Sequence, residues 1–156
     1  MKAVNYCISC LMVLALLCGV GCSGGNSIRE ALNLKKPGAY NFKFVGYDIN
    51  VTNPEMDRRS YYKIYLDKIE VGRTGIGLES QDKVFEATIE PNRHLLTVEK
   101  WVLDEKNTKY IKVNNIEQPR PNYVYFGINA GRIVVITLKN DRLDNKAVFE
   151  VDFEYD

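Results

Sequence analysis

The chain has 156 residues, with 21 Lys and Arg against 20 Asp and Glu, one His and four Cys. That length points to one domain, and 46% hydrophobic with 26% charged residues excludes disordered and collagen-like chains. A net charge of +1 excludes the basic footprint of a nucleic-acid binder, and a single His leaves little room for a multi-His metal site.

All four cysteines, Cys7, Cys10, Cys18 and Cys22, fall in the first 22 residues. After Lys2 no charge occurs until Arg29, residues 6–20 are largely apolar, and the stretch ends in Gly19-Val20-Gly21-Cys22-Ser23-Gly24-Gly25. A positive start, a short apolar region and small residues at its end make residues 1–21 a signal peptide. A membrane-spanning helix wants about 20 apolar residues, and this stretch dissolves into Gly and Ser first. Cys7 and Cys10 lie inside that apolar region, so their spacing is not read as a redox or zinc motif.

The segment resembles the signal peptide of a bacterial lipoprotein, with Val20 and Gly21 before Cys22 as in its processing motif and Gly19 where Leu is usual. The resemblance implies a diacylglycerol on the Cys22 thioether and an acyl chain such as palmitate on its amine. Two or more chains hold a protein stably on a membrane, at about 0.8 kcal/mol per buried CH₂. Ser23, rather than Asp, after the Cys implies the outer membrane of a bacterial cell envelope. Ordinary cleavage after Gly21, which would release a soluble protein, stays open. Without residues 1–21, acids and bases balance at 20 each and Cys22 is the sole cysteine, so no internal disulfide can form.

Residues 22–38 read as the lipidated Cys, a Ser-Gly-Gly-Asn tether and a short helix near 28–34. Ser27-Ile28-Arg29-Glu30 fits a capping box, and Pro37-Gly38 stops the helix. From residue 39 to 156 the period is near two, as in strands. Tyr40, Phe42 and Phe44 share one phase, and the apolar phase then shifts to Val45, Tyr47, Ile49 and Val51, which predicts a β-bulge at Gly46. Residues 52–60 are a polar loop. Tyr62, Ile64 and Leu66 face one way in the next strand, with Tyr61, Lys63 and Tyr65 opposite, and Asp67-Lys68 makes a tight turn.

Further strands are predicted at 84–89, 94–103, 109–114, 123–128, 132–138 and 147–155, with turns at Pro91-Asn92, Asn129-Ala130-Gly131 and Asn140-Asp141. The fold class is all-β: an antiparallel β-sandwich of eight or nine short strands.

Two stretches, Ile64-Tyr65-Leu66-Asp67-Lys68-Ile69-Glu70-Val71-Gly72 and Ile89-Glu90-Pro91-Asn92-Arg93-His94-Leu95-Leu96-Thr97-Val98, resemble the strand–turn–strand and Pro-Gly turn of PEGA-type surface domains. Lys68 and Asn92 stand where that family favours Gly. The resemblance covers about residues 61–138 and implies an immunoglobulin-like or prealbumin-like sandwich without catalytic activity.

Chemistry-bearing constellations are sparse. His94 follows a turn and has no nucleophile motif beside it, so it reads as a turn histidine bonding a neighbouring backbone group. Asp141-Arg142-Leu143-Asp144-Asn145 lacks the Gly of a calcium loop, and Gly72-Arg73-Thr74-Gly75-Ile76-Gly77 lacks the Lys-Ser/Thr of a phosphate loop. No catalytic residue, metal or cofactor is called for.

Nine of the ten tyrosines lie beyond residue 21, together with Trp101. Trp101, Tyr61 and Tyr65 occupy strand faces with polar neighbours, which makes them the candidate ligand contacts. The expectation is a lipid-anchored, non-catalytic envelope protein whose sandwich binds a protein partner. A carbohydrate- or peptidoglycan-binding module using those aromatics is the alternative, and a hydrolase with two carboxylates is the third reading.

Overall fold

The computed structural model describes residues 40–155. The signal peptide, Cys22, the tether and the short helix lie outside the described residues. Among the described residues no helix is long and apolar enough to cross a membrane.

Ten strands form two sheets: β1 (Phe42–Ile49), β2 (Arg59–Leu66), β3 (Ile69–Arg73), β4 (Gly77–Leu78), β5 (Lys83–Ala87), β6 (Arg93–Asp104), β7 (Lys109–Lys112), β8 (Tyr123–Gly127), β9 (Arg132–Asp141) and β10 (Lys146–Tyr155). One sheet has the order β10-β9-β1-β5. The other runs β3-β2-β6-β7, with β4 on β2 and β8 on β6. The described residues thus form an all-β sandwich. Its pairing is antiparallel except for β1 and β9, which run parallel in unbroken register from Phe42↔Val134 to Ile49↔Asp141.

The core lies between the sheets, where alternate residues of each strand point inward. Phe42, Phe44, Val134, Ile136 and Leu138 come from the four-stranded sheet, and Tyr62, Ile64, Leu66, Leu96, Val98 and Phe126 from the other. Rings lock across the gap: Phe42 stacks on Phe126 at 5.4 Å, and Phe44 meets Tyr62 edge-on at 5.8 Å. Each fully buried large apolar side chain contributes about 1.5–3 kcal/mol.

The bulge expected at Gly46 is absent. Inward and outward residues alternate without a break from Phe42 to Ile49, so Gly46 and Asp48 face the core while Val45, Tyr47 and Ile49 face outward. Two local causes explain the misleading pattern. Gly46 leaves room for aromatic neighbours, since a Cβ there would come within 2.8 Å of the Tyr62 ring and 2.9 Å of Phe44. Asp48 is buried because basic groups neutralise it. The irregularity falls instead between β2 and β3, where the register passes from Ile64↔Gly72 to Tyr65↔Glu70 and leaves Val71 as the extra residue.

The Asp67-Lys68 turn forms with φ of 51° and 72°, the left-handed pair that suits a two-residue hairpin. Asn92, by contrast, keeps a negative φ, so Pro91-Asn92 needs no glycine-like conformation. The loop expected at 52–60 contains a short 3-10 helix, Pro54–Met56, capped by the Asn53 side chain, and β2 begins at Arg59.

Candidate functional site

β6 is the longest strand and organises the six-stranded sheet. Its even-numbered residues from Leu96 to Val102 are buried, so Arg93, Leu95, Thr97, Glu99, Trp101 and Leu103 project to the outer face. The register carries β2 and β8 onto the same face, with Tyr61↔Trp101, Lys63↔Glu99, Tyr65↔Thr97, Tyr123↔Thr97 and Tyr125↔Leu95. β7 adds Tyr110 opposite Leu103 and Lys112 opposite Trp101, while β3 adds Arg73 opposite Lys63. Six aromatic side chains, separated in sequence by up to 64 positions, thereby share one surface.

The three aromatics singled out in the sequence meet there in different states. The rings of Tyr61 and Trp101 are nearly parallel, 8° apart with centroids at 6.1 Å, and Tyr110 packs on Tyr61 at 5.1 Å. That contact buries Tyr61 to 5% exposure, while Trp101 and Tyr65 are half-buried. Tyr123 and Tyr125, at 51% and 57%, are the exposed pair. They were less conspicuous in the sequence because β8 is only five residues long and interrupted by no charge.

Cations cover the rings. Lys63 Nζ lies 5.0 Å from the Trp101 ring centre, and the guanidinium carbons of Arg73 and Arg93 lie 5.2 Å from Tyr61 and 5.4 Å from Tyr125. Such contacts contribute about 0.5–1 kcal/mol at exposed sites. Lys63 and Lys112 also pair with Glu70 at 3.1 Å and Glu99 at 2.5 Å. Burial alone would raise the Glu99 carboxyl, but Lys112 and the Tyr65 hydroxyl outweigh it and lower its pKa. Tyr65 itself is pushed up to about 12, by desolvation and by its 3.0 Å hydrogen bond to Glu99.

Two hollows open beside this face. One, of about 460 Å³, is lined by Arg59, Ile76, Gly77, Leu78, Gln81 and Tyr110. The other, of about 280 Å³, is bordered by Glu99, Lys112, Asn115, Gln118, Arg120 and Asn122. The second marks the gap between β7 and β8 along β6. There the Gln118 side chain substitutes for a strand: its Oε1 accepts from Lys100 N at 2.8 Å and its Nε2 donates to Lys100 O at 3.0 Å.

A second cluster sits between the sheets. Lys100 Nζ is fully buried between Asp48 and Glu79, at 2.6 Å from the latter, and Asp48 also accepts from the Tyr62 hydroxyl at 3.1 Å. Arg142 and Arg58 reach Glu79 from the rim at 2.9 and 3.1 Å, and Arg58 also holds Glu117 at 2.6 Å. Burial would raise the Glu79 carboxyl, yet Arg58 and Lys100 hold it at about 2. Nearby, burial draws Lys83 down to about 8, and its ammonium donates to the carbonyls of Leu78, Glu79 and Gln81 at 2.7–2.9 Å. Every charge in this group already has a partner inside the protein, so the cluster works as a clasp joining β1 to β6.

The remaining candidates resolve into turn chemistry. His94 Nδ1 lies 2.7 Å from Asp67 Oδ2 and its Nε2 2.9 Å from the Glu90 carbonyl. Asp141 caps its own turn by accepting from the amides of Leu143 and Asp144, and that loop's Arg142 serves the clasp. Among the described residues no three His, Cys, Asp or Glu side chains converge as metal ligands would. No family model, curated protein or solved structure matches the chain.

Proposed function

We propose that the protein is a lipid-anchored, non-catalytic component of a bacterial cell envelope, and that it binds a protein partner through the outer face of its six-stranded sheet. The observation that carries this reading is the gathering of Tyr61, Tyr65, Trp101, Tyr110, Tyr123 and Tyr125, interleaved with Lys and Arg, on one face. Tyr, Trp and Arg are the residues that dominate binding energy at protein interfaces. The anchor rests on residues 19–25, whose order resembles a lipoprotein processing site ending in Cys22.

Sugar stacking is the weaker reading. A pyranose ring needs a free aromatic face, and of the aromatics that reading relies on, Tyr61 is buried among Trp101, Tyr110 and Arg73 while Lys63 lies over Trp101. A photo-crosslinking residue placed at Tyr123, in cells that process lipoproteins, tests the proposal. It is expected to give a discrete protein adduct that the same residue at Asp152, on the opposite sheet, does not give. Adducts from both positions or from neither would refute the face assignment. The intact mass of the mature chain, beside a Cys22→Ser variant, tests the anchor separately.

A further inference from the structure

The two outer faces of the sandwich carry opposite charge, although acids and bases nearly cancel over the whole chain. On the six-stranded sheet the outward positions hold five cations, Arg59, Lys63, Arg73, Arg93 and Lys112, against two carboxylates, Glu70 and Glu99. On the four-stranded sheet they hold Lys43, Lys139 and Lys146 against five carboxylates, Glu86, Asp141, Glu150, Asp152 and Glu154.

Pairing sharpens the contrast. On the first face the two carboxylates are taken by Lys63 and Lys112, so the three arginines form no ion pair within the described residues. Arg73 and Arg93 instead lie over tyrosine rings, and Arg59 borders the 460 Å³ hollow beside half-exposed Ile76. A guanidinium over an aromatic ring loses less freedom when it binds, and its fork of N–H donors, not engaged by any carboxylate of the described residues, matches a carboxylate.

We infer that the partner taken by this face is a polypeptide segment presenting carboxylates interspersed with aromatic or aliphatic side chains, its acids received by Arg59, Arg73 and Arg93 and its apolar groups by Tyr123, Tyr125 and the hollow at Ile76. The inference rests on the proposed protein-binding role of the same face and specifies its chemistry. Opposite charge speeds encounter and suppresses wrong partners, while the tyrosines supply buried area.

The test uses the full mature protein in a non-ionic detergent and a fluorescent random copolymer of Glu and Tyr, followed by anisotropy. Binding is expected to weaken at least about tenfold in the Arg73→Glu/Arg93→Glu variant, as for loss of charged interface contacts. It should change less than about twofold in Lys43→Glu/Lys139→Glu, which makes the same charge change on the opposite face. A Tyr123→Ser/Tyr125→Ser variant provides an uncharged second reading, and circular dichroism confirms that each variant folds.

Equal binding of a Lys and Tyr copolymer, or equal loss in both charge variants, would overturn the inference. So would binding of dextran sulfate as tight as that of the Glu and Tyr copolymer, which would mark a general polyanion surface. Salt-sensitive self-association in the same micelles would assign the face to a second copy and also overturn it. The Tyr123 crosslink separates the two levels: a discrete adduct without copolymer binding leaves the interface standing and removes its acidic specificity.

Discussion

Asp67 does more than turn the chain. Its carboxylate accepts from Leu95 N at 2.9 Å and meets His94 at 2.7 Å, tying the β2–β3 hairpin to the start of β6. The Leu95 amide and His94 lower the Asp67 pKa below its ordinary 3.8, so its contribution is present above that value and fades as pH falls through the lowered one. Burial opposes protonation of His94, but Asp67 and the Glu90 carbonyl prevail and raise it above 6.5. That contribution is complete below 6.5 and is lost as pH rises through the raised value. Between pH 6 and pH 9 this loss opposes the gain from Lys83, whose lowered pKa of about 8 strengthens the fold as its ammonium gives up its proton, so the test is the difference: the urea midpoint of His94→Gln should rise more with pH over this range than that of the wild type. An unchanged slope would contradict the assignment. At the next position Lys68 adopts φ of 72°, which costs a non-glycine residue about 1 kcal/mol. Lys68→Gly should stabilise the protein by about 0.5 kcal/mol once the added freedom of the unfolded chain is counted, measured by urea unfolding. Gly46→Ala should cost about 1–3 kcal/mol in the same assay, because its Cβ would press on Tyr62 and Phe44 at 2.8–2.9 Å.

At the scale of elements, the sandwich is held at one end by apolar rings and at the other by charge. Lys100 projects from β6 to Asp48 on β1, so the two sheets are joined through a buried ion pair rather than a continuous hydrophobic layer. Lys100→Met leaves Asp48 and Glu79 facing each other without their central cation, and should cost about 3–5 kcal/mol of unfolding free energy. If the variant unfolds at the wild-type urea concentration, the clasp is not stabilising. This end of the fold is also where the sequence misled. Strict alternation made most strands legible, and β10 was the clearest, with Phe149, Val151 and Phe153 set against Glu150, Asp152 and Glu154. Alternation fails when a charged residue is the inward one. Asp48, Glu79, Lys83 and Lys100 look like solvent residues in any short window; nearby carbonyls satisfy Lys83, but the side chains that make the burial of Asp48, Glu79 and Lys100 tolerable lie 14–94 positions away. The parallel pairing of β1 with β9 is likewise invisible locally, since it joins segments some 90 residues apart.

For the whole molecule, the informative feature is that its two broad surfaces differ. The sequence pointed to Trp101, Tyr61 and Tyr65 as contacts, and the fold gathers all three on one face. It could not show that Tyr110, Tyr123 and Tyr125 join them, because strand order decides which distant segments become neighbours. Nor could a near-zero net charge reveal a cationic aromatic face backed by an acidic one. The central claim, that this face is covered by a partner in the envelope, is tested most directly by maleimide labelling of Tyr123→Cys and Val148→Cys variants. Both positions are about half exposed, at 51% and 45%, on opposite outer faces. In native membranes, compared with purified protein, residue 123 should label about tenfold more slowly, as expected where an interface excludes water, and residue 148 at an unchanged rate. Equal rates at residue 123 in membranes and in purified protein, or slowing confined to residue 148, would contradict the account.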